Sequence, residues 1–252
     1  MIDLFSDFTV DRALLVPMVM IVCFLIYGWH EDVQRTIKSD RESKLPLYNR
    51  TMLLLWGLAA SCLAGWMLTG RPIEELGMAW TLEGWRGWLA WSTVAIGAMY
   101  LAYTIMTISS SAAVRNQIRV HLDAAELDFL RPRNNAEHRR FRAVSLTAGI
   151  TEELIFRGFL VAVLSIQLPL FAAAAVSVTA FGLSHLYQGL SGVIRTAIVG
   201  AVFTAIFLIG GSLWPVIILH TLLDLAAGVQ FQVTDAYEEA DRTEQLEPAN
   251  VR

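Results

Sequence analysis

The chain has 252 residues, of which 55% are hydrophobic and 17% charged, with a formal net charge of -4. A soluble fold of this length needs more polar surface to cover its core, and its apolar residues would not be gathered into long runs. Composition therefore excludes an ordinary cytosolic enzyme, a disordered chain and a basic nucleic-acid binder, and implies an all-α, polytopic transmembrane helical bundle.

Taken in chain order, the apolar runs predict about seven spans, at 13–29, 51–69, 88–110, 143–164, 168–187, 193–210 and 213–229. The start of the chain carries Asp3, Asp7 and Asp11 beside Arg12. A cleaved signal would have a positive start, so the first run reads as a retained helix. Pro169 and Pro215 fall in first helical turns, where a missing N–H costs little. Between the third and fourth runs, Val114, Ile118, Leu122, Ala125 and Phe129 recur at three- and four-residue spacing among charges. That pattern predicts an amphipathic helix lying on the cytosolic membrane surface or extending the third span, ended by Pro132.

Loops on one side hold 15 Lys and Arg residues and those on the other hold 3. The excess marks the cytosolic side, with the N-terminus outside and the C-terminus in the cytosol, in the plasma membrane if the source is bacterial. Trp66, Trp88, Trp91 and Trp214 then fall near the outer boundary and Trp29 near the inner one, as interfacial anchors. Three regions follow: N-terminal helices with the amphipathic segment (1–142), a polar-bearing helical core (143–229) and an acidic tail (230–252) read as disordered and solvated. His30, His121 and His138 lie in cytosolic loops and read as solvated.

The fourth span is the unusual one. It reads Thr151-Glu152-Glu153-Leu154-Ile155-Phe156-Arg157-Gly158. A charged side chain at a helix centre costs about 2.5–3.5 kcal/mol on insertion scales, so three need partners. Glu153 and Arg157 are four apart and can pair on one face. Glu152 is turned about 100° away and needs another partner. Later spans supply candidates: Phe181 and His185 in the fifth, His220 and Asp224, again four apart, in the seventh. Counted from the inner ends of their spans, these residues can meet in the cytosolic half of one cavity, where intramembrane ionisable groups mark a site.

Such a set supports hydrolysis. A carboxylate withdrawn from water can act as general base, a histidine can share the proton transfer, and a second histidine with a hydrogen-bonding Asp can donate to a developing oxyanion. Alternatively, Glu152, His185 and His220 could be three ligands of a divalent metal such as zinc, with an open fourth position. The spacings lack the His-x-x-x-His pattern of soluble zinc proteases, which favours a site without a cofactor. A proton-coupled transporter would use the same residue types, but no pair of broken helices in related halves is visible. A non-catalytic immunity or scaffold protein is the third alternative, and it would be expected to have lost a motif residue.

In order, Glu-Glu-x-x-x-Arg (Glu152, Glu153, Arg157), Phe-x-x-x-His (Phe181, His185) and His-x-x-x-Asp (His220, Asp224) resemble the motifs of the CPBP family of intramembrane proteases. That family includes the type II CAAX prenyl endopeptidases, the bacteriocin-processing enzymes and the Abi proteins. The resemblance covers about 143–229. It implies an endopeptidase in which Glu152 activates water, His185 assists, and His220 with Asp224 forms the oxyanion side. Glu153 and Arg157 would orient the site, and Phe181 would pack beside it. The substrate would be a peptide or protein near the cytosolic face, with prenylated and lipid-anchored chains among the options; membrane lipids are the other partner and nucleic acid is not one. Both a metalloprotease and a metal-independent glutamate mechanism are argued for the family. Many members carry Asn where this chain has Asp224, so Asp224 must be protonated to donate, or must instead orient His220.

Overall fold

The computed structural model describes residues 8–24, 43–80, 83–124 and 130–246. Trp29, His30, Ala125 and Phe129 lie outside the described residues, as do the side chains of His121, Leu122 and the tail acids from Glu238 onward. The described chain is helical, with no strand among its residues.

The helices are α1 (Phe8–Cys23), α2 (Leu45–Leu68), α3 (Gly84–Ser110), α4 (Ala112–Ala124), α5 (Asn135–Glu152), α6 (Leu170–Leu183), α7 (Gly189–Gly210) and α8 (Trp214–Leu246). The end of α5 passes without a break into a π-helical stretch, Glu153–Leu160, and then into a last α-helical turn, Val161–Leu164. Four stretches are long and apolar enough to cross a membrane: Leu45–Leu68, Gly84–Ser110, Leu186–Gly210 and Trp214–Asp235. They correspond to four of the seven spans expected. Apolar helices at Ala13–Cys23 and Leu170–Leu183 are shorter. At 14 residues the latter spans about 21 Å, less than a hydrocarbon core. The expected span 143–164 is the charged one, and its centre is packed inside protein. Every residue from Glu153 to Leu160 is buried.

That stretch forms the centre of the molecule. α5 packs against α2 on one side and α8 on the other, while α6 and α7 pack together and the π-helical stretch touches both α2 and α6. Phe156, Phe159, Phe181, Phe203 and Phe207 all join the apolar core around it. Close approach is set at Gly149. A Cβ there would fall 2.1 Å from Thr221 Oγ1 and 3.0 Å from the Thr221 backbone nitrogen, so only glycine lets α5 and α8 touch at this level. His220 is the neighbour of Thr221, and the contact therefore fixes its height against Glu152.

The last helix departs from expectation. It does not stop near 229 but runs to Leu246, so the stretch read as a disordered tail is helical that far. Phe231 and Thr234 are buried. Phe231 sits edge-on to Phe141 with ring centroids 6.1 Å apart. Asp235, read as a solvated acid, pairs with Arg131, and Arg131 also reaches the Thr234 hydroxyl. Apolar and paired contacts on one face of the helix give it tertiary support that composition alone did not reveal.

At the opposite end, tryptophans gather. Trp80 stacks at a tilt on Trp91 and Trp214, with centroids 4.7 and 5.5 Å apart. Trp66 and Trp214 donate their indole N–H to the carbonyls of Pro72 and Met78 in the 70–80 connection. The amphipathic segment is helical over α4, as far as it is described, and a single residue, Ser111, separates α4 from α3.

Candidate active site

α5 delivers the two acids at the junction of its α- and π-helical parts. π-helical turns are uncommon and are frequently found at functional sites. Glu153 is fully buried. Its Oε1 accepts from Arg157 Nη1 at 3.0 Å and from His220 Nδ1 at 2.7 Å. The i, i+4 pair read in the sequence is therefore a three-member cluster that reaches across to α8. Arg157 is also fully buried: Nη2 donates to the Gly200 carbonyl at 3.3 Å, and its Cζ lies 3.9 Å from the centre of the Phe181 ring. A buried guanidinium is retained where a carboxylate, a carbonyl and an aromatic face replace water together.

The cluster decides the orientation of His220. Glu153, ionised beside Arg157, can only accept, so Nδ1 of His220 carries the hydrogen. Nε2 then points the other way, 4.0 Å from Glu152 Oε2 and 3.8 Å from Asp224 Oδ2. Glu152 Oε2 is buried without a hydrogen-bond partner. The ring of His220 is held edge-on to Phe181 and tilted against Phe203, at 6.0 and 5.8 Å. This is how the core expected around Phe181 meets the site.

His185 ends α6. Its Nδ1 lies 2.9 Å from the Phe181 carbonyl, which can only accept, so this histidine too presents Nε2 away from its anchor. Ser184 Oγ is 3.0 Å from the same nitrogen.

Two cavities meet at these side chains. The larger, about 210 Å³, is lined by Glu152, Tyr187 and apolar or aromatic residues including Tyr48, Leu55, Phe141 and Phe231. The second, about 180 Å³, includes Phe181, Arg195, Thr196 and Phe203. His185, Gln188, His220 and Asp224 line both. The structure thus brings Glu152, His220 and Asp224 together, with His185 on the same wall, and sets Glu153, Arg157 and Phe181 behind them. Sequence reasoning missed the bond from His220 to Glu153, and missed Tyr187 and Gln188. The pair Tyr187-Gln188 follows His185 in a polar turn, but no spacing rule marks it.

The metal alternative can be tested on the donor set. Among the described residues there is no group of three or more His, Cys, Asp or Glu side chains arranged to hold a metal ion. The bonds at Nδ1 leave Nε2 of each histidine open, but Glu152, His185 and His220 do not converge as a ligand set. The residues do not fit a zinc site in this arrangement.

A helical membrane protein with an acid–histidine cluster buried at the meeting of two cavities is the class that fold and site define. Residues 139–226 match the family model described as type II CAAX prenyl endopeptidase Rce1-like, which supports the resemblance to the CPBP family of proteases. The match runs from the first turns of α5 into α8 and holds all of Glu152, Glu153, Arg157, Phe181, His185, His220 and Asp224. No curated protein and no solved structure matches the chain.

Proposed function

We propose that the protein is an intramembrane endopeptidase whose general base is Glu152. The observation that carries this is the Glu153–Arg157–His220 cluster, which holds His220 Nε2 beside the unpartnered Glu152 carboxylate at a cavity wall. Glu152 takes a proton from water as the water oxygen attacks the carbonyl carbon of the substrate. The carbonyl electron pair moves onto oxygen, and collapse of the tetrahedral state returns the proton to the leaving amine. Within this reading, His220 and His185 share and orient the proton transfer through Nε2, and Asp224 holds the open side of His220. Glu153 and Arg157 are positioning residues: they fix the tautomer and direction of His220 without touching substrate.

The larger cavity is mostly apolar, which suits a substrate with an apolar or lipid-modified segment; prenylated and lipid-anchored chains are the candidates. The cut falls near the cytosolic face, with the N-terminus outside and the C-terminus inside, as the loop charges imply. α1, α6 and the charged stretch complete the seven-pass arrangement around the four long helices.

The test compares membrane-protein termini in cells carrying the wild type and Glu152→Gln. A defined new terminus made only by the wild type is the expected result and names the substrate. Identical termini with a fully active Glu152→Gln protein would sink the proposal.

A further inference from the structure

The two cavities differ in charge. No Lys or Arg lines the larger one, whose formally charged residues are the acids Glu152 and Asp224. The second carries a cation, Arg195 of α7. The cavities meet at the wall that holds His185, His220 and Asp224. A peptide held for cleavage at that wall extends from it in two directions, one into each cavity. The mostly apolar cavity takes one side of the cut. The other side enters a space of about 180 Å³ with a guanidinium on its lining.

Arg195 stands within an apolar stretch, Leu186–Gly210, where a charge is costly and calls for a role. Its Nε donates to the Ser191 carbonyl at 3.3 Å and its Nη2 to the Ser191 hydroxyl at 3.5 Å, both one turn back along the same helix. Among the described residues no carboxylate pairs with it. Arg157, behind the wall, is by contrast closed by Glu153. The two bonds to Ser191 steady the guanidinium and use two of its five N–H groups, so three stay open to a ligand. A planar fork of this kind matches a carboxylate through two parallel N–H···O bonds. The main chain of a peptide has a carboxylate at one end only, and its amino terminus would be repelled. Arg195 therefore also sets the direction of the chain: the C-terminal side of the cut enters the second cavity.

We infer that Arg195 is a specificity residue that holds the free C-terminal carboxylate of the substrate in the second cavity, so that the enzyme cuts close to the end of a chain. The inference rests on the endopeptidase reading above. Arg195 takes no part in the proton transfer, and the carboxylate it holds departs with the leaving amine fragment.

The test uses the full chain in liposomes and a synthetic peptide that ends shortly past the cut identified by the comparison of termini. The peptide is made with a free carboxyl terminus or with a C-terminal amide. The wild type is expected to prefer the acid by about 10–100-fold in kcat/KM, mostly through KM, as the loss of a charge-assisted contact predicts. In Arg195→Met the preference should collapse to near unity. In Arg195→Lys, which keeps the charge and loses the fork, it should fall in between. The acid product should also inhibit the wild type more tightly than its amide, and Arg195→Met should erase that difference. An Arg195→Met protein that weakens both peptides equally overturns the inference and is the result that an anchor for lipid phosphate would give. A wild type that treats acid and amide alike overturns it too. So does rescue of the amide peptide by an Asp side chain at its last position, which would put an internal carboxylate in the place of the terminal one. If Arg195→Met does not fold, Arg195→Lys decides by the same acid-to-amide ratio. A Glu152→Gln protein that still cleaves removes the endopeptidase reading itself, whereas an inactive Glu152→Gln beside a wild type indifferent to the amide removes only the role of Arg195.

Discussion

One continuous helical stretch buries carboxylates at its two ends of use, and they are treated in opposite ways. At the start of α5, Glu137 is 2% exposed and saturated with donors. Its Oε1 accepts from the Lys44 N–H at 3.0 Å and the Ser43 hydroxyl at 3.2 Å, and its Oε2 accepts from the Arg133 N–H at 2.8 Å. Beside it, the Asn134 side chain caps the helix by accepting from the backbone of Ala136 and Glu137. Further along, Glu152 and Glu153 each keep one oxygen buried without a partner. A saturated carboxylate ties chain segments together and does nothing else. An unsaturated one, next to a histidine at a cavity wall, keeps free energy available for a substrate. Burial of an acid is thus no sign of function by itself; what the remaining lone pairs meet is the sign.

The sharpest break of this comparison is Glu152→Gln. Removing a general base is expected to cost about 10²–10⁴-fold in turnover, with insertion and melting temperature unchanged. Equal turnover in the variant and wild type would put Glu152 in the same structural category as Glu137. Next comes Arg157→Met, which strands Glu153 as a buried charge. A loss of about 3–5 kcal/mol in stability is expected, together with turnover, read by thermal unfolding in detergent.

Glu137→Gln should show the converse pattern. It weakens a charge-assisted clamp between α5 and the start of α2, so stability falls by about 1.5–3 kcal/mol while turnover per folded molecule holds. Gly149→Ala lies between the two acids in sequence and effect. Pushing α8 away from α5 at Thr221 should cost about 1–3 kcal/mol and also lower turnover, because His220 moves with its neighbour. Unchanged turnover would uncouple the site from this helix contact.

The smallest effect is one of pH. Burial alone would raise the Glu137 carboxyl, but the N–H groups of Arg133 and Lys44, with Ser43 and Asn134, outweigh it and hold it below the usual carboxylate range. A depressed value in the folded state adds stability that is fully present above the unfolded value, about 4.3, and is lost as pH falls through the folded one. The difference in melting temperature between wild type and Glu137→Gln should therefore be flat near neutrality and shrink only below about pH 4.3. A difference that does not depend on pH would mean that the charge of Glu137 is not what stabilises the clamp.

Some of this was legible locally. The pairing of Glu153 with Arg157 follows from spacing on one helix, and the order of the three motifs carried the resemblance that the family match supports. Glu137 was not legible, because the Lys44 N–H that it binds is 93 residues away in sequence. Hydropathy also ignores tertiary burial: the centre of 143–164 sits inside protein, and the helix after 229 persists on contacts to Arg131 and Phe141.

By itself the sequence determined a helical membrane protein and the set of polar residues that its apolar stretches must shelter, since hydropathy and i, i+4 spacing are properties of local chain. Only the tertiary structure decided which carboxylate His220 bonds, which one it leaves open, and that Gln188 shares the wall. Those outcomes depend on how α5, α6 and α8 are rotated against one another, on the π-helical turn at Glu153 and on the glycine contact at Gly149. No single helix contains that information, because each contact joins groups that are far apart along the chain and close only once the helices pack.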